Sequence, residues 1–178
     1  NLPEGPVLVV AKHQSTWETF FFFCFTSHPL AYVCKKELLR IPVFGWCIGR
    51  LGMIHIDRKQ RMGAWAKVAE QGRLLMDRGK WIIMFPEGTR TERGKKGNYK
   101  SGATRLAVAT GAYIVPIAVT SGRCWPRRSF SLIPGNIDVS IGQPVCAEGR
   151  EPGELMDEVE RWIEAEMHRL DPQAYQVK

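Results

Sequence analysis

Three short segments of this chain are apolar at almost every position, and each is bounded by turn-forming or charged residues. They are Pro6–Lys12 (PVLVVAK), Trp81–Phe85 (WIIMF) and Tyr113–Val119 (YIVPIAV). A strand with one wet face alternates polar and apolar residues. A run without alternation is covered on both faces, as in parallel sheets enclosed by helices.

The segments between these runs fit that architecture. Thr16–Thr26 reads as a helix dense in Phe, and Leu30–Cys34 as a second short strand. A basic segment, Lys35–Gly49, is interrupted by Pro42 and Gly45, and Leu51–Ile56 is a further strand. Met62–Asp77 carries Met62, Trp65, Val68, Ala69, Leu75 and Met76 near a 3.6 period and stops at Gly79. Ser101–Thr110 is a helix closed by Gly111. Ser129–Ile133 and Ile137–Ile141 are expected to pair around Pro134-Gly135. Leu155–Leu170 is the last helix, with an apolar stripe from Leu155 to Leu170 and its acidic residues mostly on the other side. Helices that regularly separate apolar strands predict an α/β fold: a single domain, with a mostly parallel central sheet flanked by helices on both faces. Residues 1–150 are expected to form the α/β domain and 151–178 an acidic C-terminal helix packed on it.

Composition excludes several classes. With 178 residues, 44% hydrophobic and 24% charged, the chain is neither disordered nor a disulfide scaffold. Five cysteines make an odd count with no C-x-x-C pair, which points to a reducing compartment and away from a zinc knuckle. No apolar run approaches the roughly 18 residues of a membrane span, and no signal peptide is present. The chain begins at Asn1 and is read as a fragment or processed chain, with any N-terminal anchor outside it. Residues 1–150 hold 22 Lys/Arg against 10 Asp/Glu, whereas 151–178 hold 3 against 8. A basic body suits nucleic acid, an anionic membrane surface or phosphorylated substrates. No DNA- or RNA-binding motif supports the first.

The groups with chemistry stand where strands end. His13 follows the first buried run, and Glu18 lies five residues on, at the start of a helix. A carboxylate there can hold one imidazole nitrogen and leave the other open to take a proton. Phe85-Pro86-Glu87-Gly88-Thr89-Arg90 follows another buried strand and belongs at the same sheet edge. Gly88 permits a sharp turn, and Arg90 offers a bidentate fork for phosphate. His55-Ile56-Asp57-Arg58 ends a third strand, where an ordinary surface ion pair is the simpler reading. Arg90, Arg93, Lys95, Lys96 and Lys100 form a basic loop that is not a P-loop: five residues rather than four separate Gly88 from Gly94-Lys95, and Lys96 stands where Ser or Thr is required. There is no G-x-S-x-G elbow of a serine hydrolase.

Together these blocks resemble the glycerolipid acyltransferase family, its bacterial 1-acylglycerol-3-phosphate members above all. The resemblance runs through about Val145. It rests on His13-Gln-Ser-Thr-Trp-Glu18 for the family's His-x4-Asp, Gly52–Arg58 for a strand ending in Arg, and Phe85–Arg90, matched letter for letter. Ile114-Val-Pro116-Ile-Ala-Val119 matches the apolar strand around a proline, and Lys36–Trp46 looks like the stretch between the first two blocks. Glu18 stands where Asp is commoner, and Lys12 where Asn is frequent.

The resemblance implies an acyltransferase domain that moves a fatty acyl chain from a thioester to the sn-2 hydroxyl of lysophosphatidic acid, giving phosphatidic acid. The thioester is acyl-CoA or acyl carrier protein, used as co-substrate with no other cofactor and no metal. His13 is then the general base and Glu18 its orienting carboxylate. Arg58 and Arg90 grip phosphate, Glu87, Gly88 and Thr89 line the glycerol side, and Lys100 favours substrate phosphates. The expected setting is the cytoplasmic face of the inner membrane, with Phe20–Phe25 shared between core and bilayer. Glycerol-3-phosphate and lyso-aminolipids are alternative acceptors, and a non-catalytic lipid-binding protein is the rival of another class.

Overall fold

The computed structural model describes residues 3, 5–57 and 63–176. Six strands form one sheet in the order β3-β2-β4-β1-β5-β6. They are β1 (Val7–Ala11), β2 (Leu30–Lys35), β3 (Ile54–Ile56), β4 (Trp81–Met84), β5 (Tyr113–Val119) and β6 (Val139–Ile141). The first five are parallel, and β6 runs antiparallel to β5 with Val119 opposite Val139. The helices are α1 (Trp17–Phe25), α2 (Phe44–Arg50), α3 (Gly63–Met76), α4 (Gly102–Thr110) and α5 (Pro152–Leu170).

The unbroken apolar runs are central strands, and the period of two divides their residues between faces. Leu8, Val10, Ile82, Met84, Ile114 and Ala118 form one core with residues of α3, α4 and α5. Val7, Val9, Ala11, Ile83, Val115 and Ile117 form a second core around Phe22 of α1. Fully burying each Val, Leu, Ile, Met or Phe side chain among them stabilises the fold by ~1.5–3 kcal/mol. The sheet is thus enclosed on both faces as expected, but unequally: three helices cover one side and α1 is the helix on the other. Of the Phe cluster, Phe22 is buried while Phe20, Phe23 and Phe25 are exposed.

Helix ends follow local chemistry. α4 stops at Gly111, whose φ of 68° is the left-handed cap. α5 begins three residues before the expected Leu155, because Glu151 accepts the Glu154 N–H at 2.8 Å and Pro152 suits a first turn. Its stripe Leu155, Val159, Ile163 and Met167 is buried in the first core.

One expectation is corrected. Ser129–Ile133 is not a strand. Trp125 Nε1–H donates to the Ser129 carbonyl, Ser131 N–H to Ser129 Oγ, and Ile133 N–H to the Cys124 carbonyl. Local turns therefore consume these backbone groups, and β6 pairs with β5 instead. The segment Lys35–Gly49 is a 3-10 turn, Lys36–Arg40, followed after Pro42 by α2. Parallel strands deliver their C-terminal ends to one edge. His13, Phe85 and Ser121 follow β1, β4 and β5 there, with β4 and β5 the immediate neighbours of β1.

Candidate active site

His13 leaves the end of β1, and the chain turns at once into α1. Glu18, in the first turn of α1, closes that turn: its Oε1 accepts the backbone N–H groups of Gln14 and Ser15, both at 2.9 Å. Ser121, just beyond β5, places its hydroxyl on the same oxygen. Oε2 meets His13 Nδ1 at 2.5 Å. Two backbone N–H groups can only donate, so Oε1 is an acceptor, and the carboxylate at Nδ1 calls for an N–H there. The proton of neutral His13 therefore sits on Nδ1, and the lone pair lies on Nε2, which has no protein partner among the described residues. The imidazole stacks on Phe85 at 3.9 Å between centroids and 15° between planes, and 17% of the side chain is exposed. Ring orientation and tautomer are thus both set by the fold. Nearby Tyr32 is held protonated, its phenol pKa raised by burial first and the Glu18 charge second.

The loop after β4 wraps the same group. Gly88 turns the chain with φ of 65°, and its N–H bonds the Phe85 carbonyl at 3.0 Å. Thr91 clasps the His13 carbonyl through N–H at 2.7 Å and Oγ1 at 3.1 Å. Arg90 Nη1 donates to Thr16 Oγ1 at 2.5 Å, which brings the guanidinium beside the loop that carries His13. Thr89 is exposed and Gly88 half-buried.

Glu87 points inward. Its side chain is fully buried, with Oε2 accepting the His13 N–H at 3.1 Å and Oε1 accepting from Lys12 Nζ at 2.8 Å and Gly97 N–H at 3.1 Å. Lys12 also reaches Glu164 Oε1 at 2.7 Å and the Lys95 carbonyl at 3.1 Å. Tyr99 donates to Glu164 at 2.8 Å, and its ring lies 5.7 Å below the ammonium. Burial raises the Glu87 pKa, with Lys12 opposing it. Within the fold Glu87 is a brace beneath the histidine, its oxygens already occupied by protein donors.

Much of the basic loop is spoken for. Arg93 makes a bidentate pair with Asp171 at 2.7 and 2.8 Å, and Lys96 pairs with Glu160 of α5. Arg93 holds the Asp171 carboxyl below its ordinary pKa range, with Arg123 adding to the effect. Arg90, Lys95 and Lys100 have no carboxylate partner among the described residues. The Lys100 side chain is exposed, and its backbone N–H anchors the loop on the Pro86 carbonyl at 3.1 Å. Arg58 lies outside the described residues.

The structure brings together His13, Glu18, Glu87, Gly88 and Arg90, drawn from two strand ends. Four contributors were not expected at the site from the sequence: Lys12, noted there only as standing where Asn is frequent, and Thr91, Ser121 and Glu164. Lys12 carried a readable signal, a charge closing an apolar run, and Thr91 directly follows the Phe85–Arg90 block. Ser121 and Glu164 are 103 and 152 positions from their partners and left no local trace.

Comparison with known proteins shows the family to which the chain belongs. Residues 1–120 match the family described as Acyltransferase. The chain is 42% identical over 175 residues to the 1-acyl-sn-glycerol-3-phosphate acyltransferase of Pseudomonas aeruginosa, covering 97% of this chain and 68% of that protein. It is 31% identical over 156 residues to human 1-acyl-sn-glycerol-3-phosphate acyltransferase alpha, covering 86% of this chain and 54% of that one. The crystal structure of the 1-acyl-sn-glycerophosphate (LPA) acyltransferase from Thermotoga maritima superposes with a TM-score of 0.79 at 28% identity, covering 99% of this chain and 70% of that chain. With residues 1–120 matched by the family and a relative 42% identical over 97% of the chain, the chain belongs to the acyltransferase family.

Proposed function

We propose that this chain transfers a fatty acyl group from a thioester, acyl-CoA or acyl carrier protein, to the sn-2 hydroxyl of a 1-acylglycerol 3-phosphate, giving phosphatidic acid. The observation that carries the reading is the His13 imidazole, with Nδ1 held by Glu18, Nε2 open and Arg90 alongside. An alcohol is a poor nucleophile at neutral pH, and a positioned base contributes ~10²–10⁴-fold. The hydroxyl oxygen attacks the thioester carbonyl while its proton passes to Nε2. The tetrahedral intermediate collapses, the C–S bond breaks, and the thiolate leaves as thiol by taking the proton from the imidazolium. Glu18 stabilises that cation throughout. The thioester is already activated, so each step runs on protein groups alone.

In this reading Arg90, with Arg58, binds the acceptor phosphate. Gly88 and Thr89 border the glycerol, Lys100 adds positive charge near the substrates, and Glu87 holds the loop in place. Residues 1–150 carry the chemistry, and 151–178 brace it through Glu160, Glu164 and Asp171. No helix among the described residues is long and apolar enough to cross a membrane. The acceptor is a bilayer lipid and the donor is water-soluble, so the reaction takes place where a membrane faces the thioester pool, the cytoplasmic face of the inner membrane.

The test is acyl transfer measured with acyl-CoA and acyl carrier protein donors in parallel, offering lysophosphatidic acid, glycerol-3-phosphate and a lyso-aminolipid. Phosphatidic acid formed by the parent and lost in His13→Ala is the expected result. Transfer confined to another acceptor, or no transfer with any, overturns it.

A further inference from the structure

Two segments leave the sheet at the His13 edge carrying exposed apolar side chains among cations. One connects β5 to β6. These strands are antiparallel, so the connection starts and ends at that edge, tied by Thr120 N–H to the Asp138 carbonyl at 3.0 Å. Its tip, Arg127–Ile133, holds Arg127 and Arg128 with no acidic residue. Phe130 is fully exposed, and Leu132 and Ile133 are 66% and 51% exposed. The other segment follows β2. Its 3-10 turn has no buried residue, and α2 buries Gly45 alone. Ile41, Val43, Phe44 and Trp46 are exposed beside Lys35, Lys36, Arg40 and Arg50, with Glu37 the single acid from 35 to 50. In the sheet order, β4 and β1, the strands that deliver Phe85–Arg90 and His13, lie between β2 and β5.

We propose that these two segments form a two-point docking surface for an anionic phospholipid bilayer, which sets the His13 edge of the sheet against the lipid headgroups. Apolar side chains ringed by Lys and Arg match the acyl boundary and the negative leaflet surface. A Trp at the rim, as at position 46, suits the headgroup level. An exposed apolar cluster of this kind is otherwise costly in water. The occupant follows from charge: the two segments together carry six cations (Lys35, Lys36, Arg40, Arg50, Arg127 and Arg128) against one acid of their own, Glu37, and of the six Lys36 also pairs with Asp57 at 3.9 Å. The surface extends the reading that the acceptor is a bilayer lipid, and it has a readout independent of acyl transfer.

The test is co-sedimentation of the full chain, without donor or acceptor, with vesicles of phosphatidylethanolamine and phosphatidylglycerol or of phosphatidylcholine alone. The double variant Phe130→Glu, Leu132→Glu is expected to lower the partition coefficient at least about tenfold, and Val43→Glu, Trp46→Glu similarly. Arg127→Gln, Arg128→Gln should cost about fivefold per charge on the anionic vesicles at low salt and little on phosphatidylcholine. Leu74→Glu, an exposed site near the C-terminus of α3 and towards the opposite sheet edge, is the control and should bind as the parent. All these positions are exposed except the half-buried Arg127, and unchanged melting curves verify folding. Vesicle binding that is absent in the parent, unaltered in both apolar double variants, or lowered equally by Leu74→Glu overturns the proposal. So does a double variant whose only effect is to split a homodimer. An active enzyme that fails this test leaves the acyl-transfer reading standing.

Discussion

Lys12 Nζ lies 2.7 Å from Glu164 Oε1, across 152 positions of sequence, and ties the end of β1 to the middle of α5. The same ammonium holds Glu87, which holds the backbone N–H of His13. The last helix therefore braces the histidine through two side chains. Removing one partner of a buried pair strands the other's charge, at a cost of ~3–5 kcal/mol. Lys12→Met should lose about that much in urea unfolding. Lys12→Met combined with Glu87→Gln and Glu164→Gln should recover part of it, because no unpaired charge remains. A single variant as stable as the parent contradicts the bracing role.

The dyad makes graded predictions for kcat. His13→Ala should lower transfer at least ~10²-fold without unfolding the chain. Glu18→Gln should also fall steeply, since an amide cannot stabilise the imidazolium as a carboxylate does, whereas Glu18→Asp should retain measurable activity. Ser121→Ala removes one bond to Glu18, worth ~0.5–1.5 kcal/mol, and should cost about 2–10-fold. Single-turnover rates for the four variants should follow that order, and a Ser121→Ala defect equal to that of His13→Ala would disprove the assigned roles.

Arg90 is expected to act on the acceptor. Hydrogen bonds to charged groups are worth ~1.5–3 kcal/mol, so Arg90→Ala should raise the KM for lysophosphatidic acid by ~10–150-fold. Arg90→Lys should restore only part, because Lys lacks the planar fork. A two-substrate kinetic grid separates the outcomes. A rise in thioester KM with acceptor KM unchanged assigns Arg90 to the donor.

Asp171 gives the fold a dependence on acid. Its pKa is lowered in the folded chain, first by the Arg93 hydrogen bonds. A depressed carboxylate contributes stability above its unfolded pKa and loses it as pH falls through the folded value. The stability difference between parent and Asp171→Asn should therefore be constant near neutrality and shrink below about pH 4. Denaturant midpoints at stepped pH measure it, and a gap that widens on acidification reverses the sign.

Cys34 should be inert at neutral pH. Burial pushes its thiol up to about 11, and it sits 3.2 Å from His55 Nδ1, whose own pKa is lowered by burial. A protonated thiol is a poor nucleophile. Iodoacetamide labelling should be slower at Cys34 than at exposed Cys24, Cys47 and Cys146, and Cys34→Ala should keep acyl transfer. A trapped acyl-Cys34 would overturn this.

The sequence by itself determined the parts whose cause is local. Unbroken apolar runs announced β1, β4 and β5, because burial on both faces removes alternation. His13 and Glu18 are five residues apart on one turn, and Phe85–Arg90 is a contiguous block, so both were legible before any contact was known. What only the tertiary structure decided are the choices of distant partner. Ser121 and Glu164 reach the site because β5 adjoins β1 and α5 packs across the sheet, and neither neighbour is encoded near the residue it serves. The sequence shows a basic loop but not its partners: Arg93 and Lys96 are paired with carboxylates of the C-terminal segment, which come within reach only when α5 docks. Ser129–Ile133 carries strand-forming residues, but its backbone hydrogen bonds close local turns and β6 takes the place beside β5. Periodicity reports which residues are covered. Which groups cover them, and whether a charge is left unpaired, follows from the packing of elements far apart in the chain.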